Sequence, residues 1–281
     1  MTNTTAPFGL LAAVAMVSVA FAQPAPVATA PALAPAAVEE SGLSLDVSMK
    51  YVTAYFFRGV NNGEEGLILQ PEATATYTIM VGDNLSITPW FNVWNNVTDK
   101  TYADNYHYWD EVDLTPGVDI TSGRFSLTLQ YAYYHSPARN WEDIHELGAV
   151  ISYDDSDQLG LPIALNPCVG YYQEIVNKNT SERTYLEVGV TPEWSTVKCP
   201  VKLTFPVAVG MGLHGWYAND DGHQEMLGYA SAAVEGQYNI TEYLYATAGV
   251  KYIRLVADNI VDDNDGTENQ FIGSVGIGYT F

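Results

Sequence analysis

The sequence predicts an all-β protein, an antiparallel up-and-down transmembrane β-barrel of about twelve strands. Three observations predict it. Apolar and polar residues alternate with a period of two over stretches of about ten residues, the length of a tilted membrane strand. Connections alternate between short, Gly/Asn-rich turns and long polar loops. Aromatic residues gather at strand ends, and the last residue is Phe281. The composition excludes other classes. The 281 residues carry 33 acidic against 11 basic side chains, a formal charge of −22, which repels nucleic acid. Hydrophobic residues make up 47% and aromatics 12%, too much for a disordered chain. No apolar run after residue 22 is long enough for a spanning helix.

Residues 1–22 read as a secretory signal peptide. Gly9 to Ala22 is apolar apart from Ser18 and ends in Ala20-Phe21-Ala22, a small-x-small cleavage pattern. Residues 23–42, with Pro24, Pro26, Pro31 and Pro35, read as an extended periplasmic tether. The barrel occupies 43–281. Its first strand sets Leu43, Leu45, Val47, Met49 and Tyr51 against Ser44, Asp46, Ser48 and Lys50. The same alternation marks 85–94, 111–120, 125–133, 201–211 and 271–281. Weaker versions lie near 67–80, 143–154, 168–176, 184–194, 226–238 and 243–254. Short turns are expected at 81–84, 121–123, 195–198 and 239–241. Long loops are expected near 58–66, 95–105, 135–140, 177–182, 214–225 and 255–268. The connection near 155–166 is long for a turn.

A secreted β-sandwich also alternates. Strand length, two aromatic belts and the C-terminal row ending in Tyr279 and Phe281 favour the barrel. Tyr55, Phe57, Tyr131, Tyr133, Trp141, Tyr252 and Phe271 are expected at the outer rim. Tyr77, Tyr153, Trp194, Tyr238, Tyr243 and Tyr279 are expected at the inner rim. That C-terminal pattern resembles the assembly signal of bacterial outer-membrane barrels. The stretch Tyr55-Phe56-Phe57-Arg58-Gly59, with the signal peptide and strand meander, resembles the TorF-type porin family of the outer membrane. The resemblance implies passage of small solutes and names none.

Alternation points charge into the lumen. Lys50, Arg58, Arg183, Lys202 and Lys251 face inward with Asp46, Glu72, Glu111, Asp113, Asp119, Glu146, Glu174, Glu187 and Glu235. Such charge is costly unless paired or wet. It reads either as a wet, weakly cation-preferring pore with a transverse field or as a salt-bridged plug. Arg58 reads either as a constriction or as a structural partner of Glu72 or another lumen carboxylate. Cys168 and Cys199 are the only cysteines, in an oxidising compartment. Regular strand positions separate them by about 10 Å, too far for a disulfide unless one leaves the sheet.

The acidic stretch Asp262-Asp263-Asn264-Asp265-Gly266 has Val261 where a Ca²⁺-loop ligand belongs, so it reads as a solvated loop. The histidines make no metal site by spacing. His135-Ser136 would point to opposite faces of a strand, so no catalytic pair forms. The expectation is a porin-like channel for passive diffusion, with no enzymatic activity, cofactor or metal. Its partners are outer-membrane lipids, the barrel assembly machinery and small solutes or cations. A closed structural or ligand-binding barrel is the alternative, and a lipid hydrolase a third reading.

Overall fold

A computed structural model describes residues 42–63, 66–99, 108–156, 158, 163–176, 182–196, 199–218 and 223–281. The expected signal peptide and nearly all of the tether lie outside the described residues. The chain forms β1 (Gly42–Val52), β2 (Tyr55–Phe57), β3 (Val60–Gly63), β4 (Ile68–Gly82), β5 (Leu85–Thr98) and β6 (Trp109–Ser122). It continues with β7 (Phe125–His135), β8 (Ile144–Tyr153), β9 (Pro167–Val176), β10 (Thr184–Val190) and β11 (Glu193–Thr196). The last elements are β12 (Cys199–Thr204), β13 (Val207–His214), β14 (Leu227–Asn239), β15 (Leu244–Leu255), the short helix α1 (Asp258–Asp262) and β16 (Asn269–Thr280).

These strands make twelve staves of one closed antiparallel barrel, as the periodicity predicts. β10 and β11 are one stave broken at Pro192, and β12 and β13 are one stave broken at Phe205-Pro206. Proline cannot donate to the ladder, so each stave bends there. The carbonyls still serve. The Phe205 N–H donates to the Pro192 oxygen at 2.8 Å, and the Ala233 N–H to the Pro206 oxygen at 2.8 Å. The barrel closes between β1 and β16, with Met49 opposite Ile277 and Asp46 opposite Thr280. β2 and β3 pair only with each other and are not staves.

Outward rows are apolar and exposed. Leu45, Val47 and Met49 on β1 continue across Val275, Ile277 and Tyr279 on β16, and Leu129, Leu147, Ile151, Val188 and Val250 extend the band. An apolar band of this kind around a closed barrel suits contact with lipid. Short connections gather at one end, beside both ends of the barrel domain, which we call the turn side. Gly82 faces Leu85, Ser122 faces Phe125, and Tyr243 stacks on Tyr279 with centroids 5.9 Å apart. The connection after β8 is pinned by Asp155, whose Oδ1 accepts the N–H groups of Leu165 at 2.7 Å and Asn166 at 2.9 Å.

Candidate functional site

The sequence places 58–66 in an outer loop and Tyr55 and Phe57 at the outer rim. The structure corrects this. After Val52 the chain leaves the wall, held by Thr53, whose N–H donates to the Gly273 oxygen at 3.0 Å while its Oγ1 accepts the Gly273 N–H at 2.8 Å. It then folds into the lumen as the hairpin β2–β3, with Phe57 opposite Val60. The turn residues are Arg58 at φ 49° and Gly59 at φ 85°. Two central residues with positive φ match the twist of a tight hairpin. Gly59 is needed twice over, since a Cβ there would also lie 2.8 Å from Ile260 Cδ1.

The turn delivers Arg58 to the centre of the loop-side lumen, 1% exposed. Its guanidinium donates from Nη1 to Glu146 Oε2 at 2.6 Å and from Nη2 to Glu146 Oε1 at 2.8 Å. This bidentate fork is the strongest geometry available to an arginine. Tyr134 donates to the same carboxylate at 3.0 Å, and Tyr217 donates to the Arg58 carbonyl at 3.0 Å. Four rings, Phe57, Tyr172, Tyr185 and Trp216, lie 4.3 to 4.8 Å from the guanidinium carbon. A desolvated cation inside an aromatic cage gains from each ring quadrupole. Of the two readings of Arg58, the structure makes the ion pair, with Glu146 rather than Glu72.

Around this pair the loop-side interior is packed and dry. Tyr55, Phe56, Trp94, Tyr185, Tyr217 and Ile260 are buried in one cluster. Beneath the hairpin, Glu187 accepts from Tyr229 at 2.6 Å and from Tyr185 at 2.9 Å. Glu111 and Asp113 lie on one inward row of β6 against Tyr55, both buried. Arg183 precedes β10 and stands over the Trp216 ring at 5.5 Å, on the far side of one ring of the Arg58 cage. The rings that cage Arg58 come from β2, β9, β10 and the connection after β13. Their inward aromatics were the available signal, but alternation alone does not say which rings meet.

Other expected residues have these surroundings. Asp119 accepts from Thr128 at 2.6 Å, and Glu72 accepts from Asn92 at 2.7 Å. Lys202 pairs with Glu193 at 2.6 Å, Lys50 is half-buried, and Lys251 is buried with no hydrogen-bond partner for Nζ among the described residues. The inward acids stand on β1, β4, β6, β8, β9, β10 and β14, and the lysines on β1, β12 and β15, so the two signs are interspersed on the β14-to-β1 side of the ring. β7, between the acids of β6 and β8, lies six staves from β15 in either direction.

Water reaches these two sides of the ring unequally. Thr115, Ser126 and Thr128 on β6 and β7 are almost fully buried, whereas Ser48, Thr74, Thr76, Thr247 and Ser274 are half-exposed. Part of the dry wall is filled by Trp90, which lies so close over Gly117 that a Cβ there would be 2.1 Å from the ring. Open lumen space lies along β12, β14–β16 and β1, on the turn side.

Tyr279 and Phe281 end the closing stave, rings 4.6 Å apart, with the Phe281 N–H donating to the Leu45 oxygen at 2.8 Å. Cys168 is a free thiol on the inward row of β9. The Cys199 side chain, and with it the expected pairing, lies outside the described residues. His135 bonds Asp143 at 2.6 Å, while Ser136 is buried and accepts the Asn140 N–H at 3.1 Å.

No family model matches the chain, and no curated protein matches it. Solved structures do. An outer membrane channel from Pseudomonas putida F1 superposes with TM-score 0.54 at 11% identity, over 87% of this chain and 97% of that one. The NanC porin matches with TM-score 0.44 at 12% identity, over 84% of this chain and 98% of that one. At 11% identity the likeness to the Pseudomonas channel establishes the barrel fold and nothing finer.

Proposed function

We propose that the chain is a porin-like channel of the bacterial outer membrane, passing small hydrophilic solutes by diffusion with a weak preference for cations. The observation that carries this reading is the lumen itself. A charged, half-wetted passage lies on the turn side, and what closes it on the loop side is a separate hairpin held by an ion pair. Turn side then corresponds to the periplasm and loop side to the exterior. The Tyr55-to-Gly59 stretch supports TorF-type membership, and Phe281 serves as the signal to the assembly machinery. Inward acids outnumber inward bases, so cations concentrate in the passage. The reading assigns the protein no chemical step.

A second reading has its own support. The dry cluster around Arg58 suits a closed barrel whose hairpin never leaves. Single-channel recording in a planar bilayer separates the two. With 55–63 replaced by a short Gly-Ser link, the channel reading expects a steady conductance well above that of the native protein, and a cation-selective reversal potential. Folded, inserted hairpin-less protein that stays silent would establish the closed barrel.

A further inference from the structure

We propose that the turn-side pocket is a binding site for a small zwitterion of the amino-acid class. The pocket is partly open to the lumen and is lined by Lys50, Lys202, Thr204, Glu235, Thr247 and Ser274 among others. Lys251 stands on the same inward row of β15 as Thr247, with Gly249 between them, 9% exposed.

The unmatched groups define the ligand. Lys202 is neutralised by Glu193 at 2.6 Å. Glu187, which faces Lys251, is engaged by the hydroxyls of Tyr185 and Tyr229. Glu72, which faces Lys50, accepts from Asn92. Lys50, Lys251 and Glu235 remain. Glu235 feels both ammonium groups, yet no ion pair joins it to either among the described residues. Lys251 is buried, and a buried ammonium without a partner is costly. Opposite charges held near each other but out of contact, across open space rimmed by hydroxyls, complement a molecule that carries both signs. Its carboxylate would lie toward Lys50 and Lys251 and its ammonium toward Glu235, each through charge-assisted hydrogen bonds.

This inference deepens the channel reading by naming a solute class, but binding in detergent does not require conduction, so the two can fail separately. The test is calorimetric titration of the full-length, detergent-folded barrel at low salt with L-alanine, propionate and L-alaninamide. L-Alanine is expected to bind about tenfold more tightly than either single-charge analogue. Glu235→Gln should erase the advantage of L-alanine over propionate, and Lys50→Met should weaken both. Heat-modifiable gel mobility confirms that each variant is folded, and Lys50→Met, at a half-exposed position, suffices if Glu235→Gln is not. The proposal is overturned if propionate binds the unmodified protein as well as L-alanine does. Absence of binding by all three probes, or a folded Glu235→Gln protein with unchanged preference, overturns it equally.

Discussion

On the loop side Tyr55, Tyr185 and Tyr217 are wholly buried, while on the turn side Lys50, Thr74 and Thr247 are half-exposed. Both regions are enclosed by the same staves with the same alternation. The difference lies in what fills the space between walls. A twelve-stave barrel is too wide for its own side chains to fill evenly, since eight strands are already enough to enclose a filled interior. The loop side solves this by importing chain, namely the β2–β3 hairpin, the Trp216-Tyr217 connection and Ile260 of α1. The turn side imports nothing and stays wet along one wall. Closure is therefore a property of the inserted segments rather than of the barrel, and the two regions should respond differently to substitution.

The largest effect is expected at the ion pair. Arg58→Ala leaves Glu146 buried without its cation, and Glu146→Gln leaves the guanidinium without its anion. Removing one partner of a buried pair costs about 3–5 kcal/mol. Urea unfolding in lipid vesicles, followed by tryptophan fluorescence, should show the loss, and single-channel conductance should rise as the hairpin loosens. Arg58→Lys should fall between, because ammonium cannot reproduce the fork. A folded Arg58→Ala protein with native stability and conductance would mean that the rings, not the pair, hold the hairpin.

A smaller effect is expected on the dry wall. Gly117→Ala sets a methyl 2.1 Å from the Trp90 ring, which must move. Overpacking of this kind costs about 1–3 kcal/mol. Thr76→Ala, on the wetted wall, should change stability by less than about 0.5 kcal/mol. Equal losses at the two sites in the same urea titration would show that the walls are not differently packed.

These contrasts bear on what the sequence could reveal. The staves were legible because one face meets lipid and the other does not, which writes a period of two into every wall strand. The same rule placed Lys50, Glu72, Glu111, Asp113, Asp119, Glu187, Lys202 and Lys251 inward. It failed at Tyr55-Phe56-Phe57, where aromatics meant for the interior look like a rim belt. A hairpin surrounded by protein on all sides has no lipid face and hence no alternation to read. Nor does spacing reveal that Arg58 meets Glu146, 88 residues away. Arg58-Gly59 did carry a turn signal, and the structure uses it for a reversal inside the barrel.

A selectivity effect is expected from the acidic row of β6. Glu111→Gln with Asp113→Asn should shift the reversal potential across a salt gradient toward zero without abolishing conductance, since both carboxyls stand on one inward row. The shift should shrink near 1 M salt, where screening falls to about 3 Å. An unchanged potential would assign selectivity to the other inward carboxylates instead.

The smallest effect is expected from the His135–Asp143 pair at the solvated end of β7. Asp143 precedes β8, and its hydrogen bond with His135 at 2.6 Å, helped by Tyr133, holds its carboxyl below the usual range against a weaker opposing effect of burial. The chemistry resembles Arg58–Glu146, but both partners are exposed by more than a third. A carboxyl with a depressed folded-state pKa contributes stability above its unfolded value, about 3.9, and loses it as pH falls through the folded value. Asp143→Asn should therefore destabilise slightly at pH 6, by no more than about 1 kcal/mol, and match the native protein at the acid end of that window. Because solvent screens this pair, the difference should also fade with salt, while the Arg58→Ala loss should not. Urea midpoints for both variants at two pH values and two salt concentrations would check this. A salt-insensitive Asp143 effect as large as that of Arg58 would dissolve the distinction between the dry interior and the solvated rim.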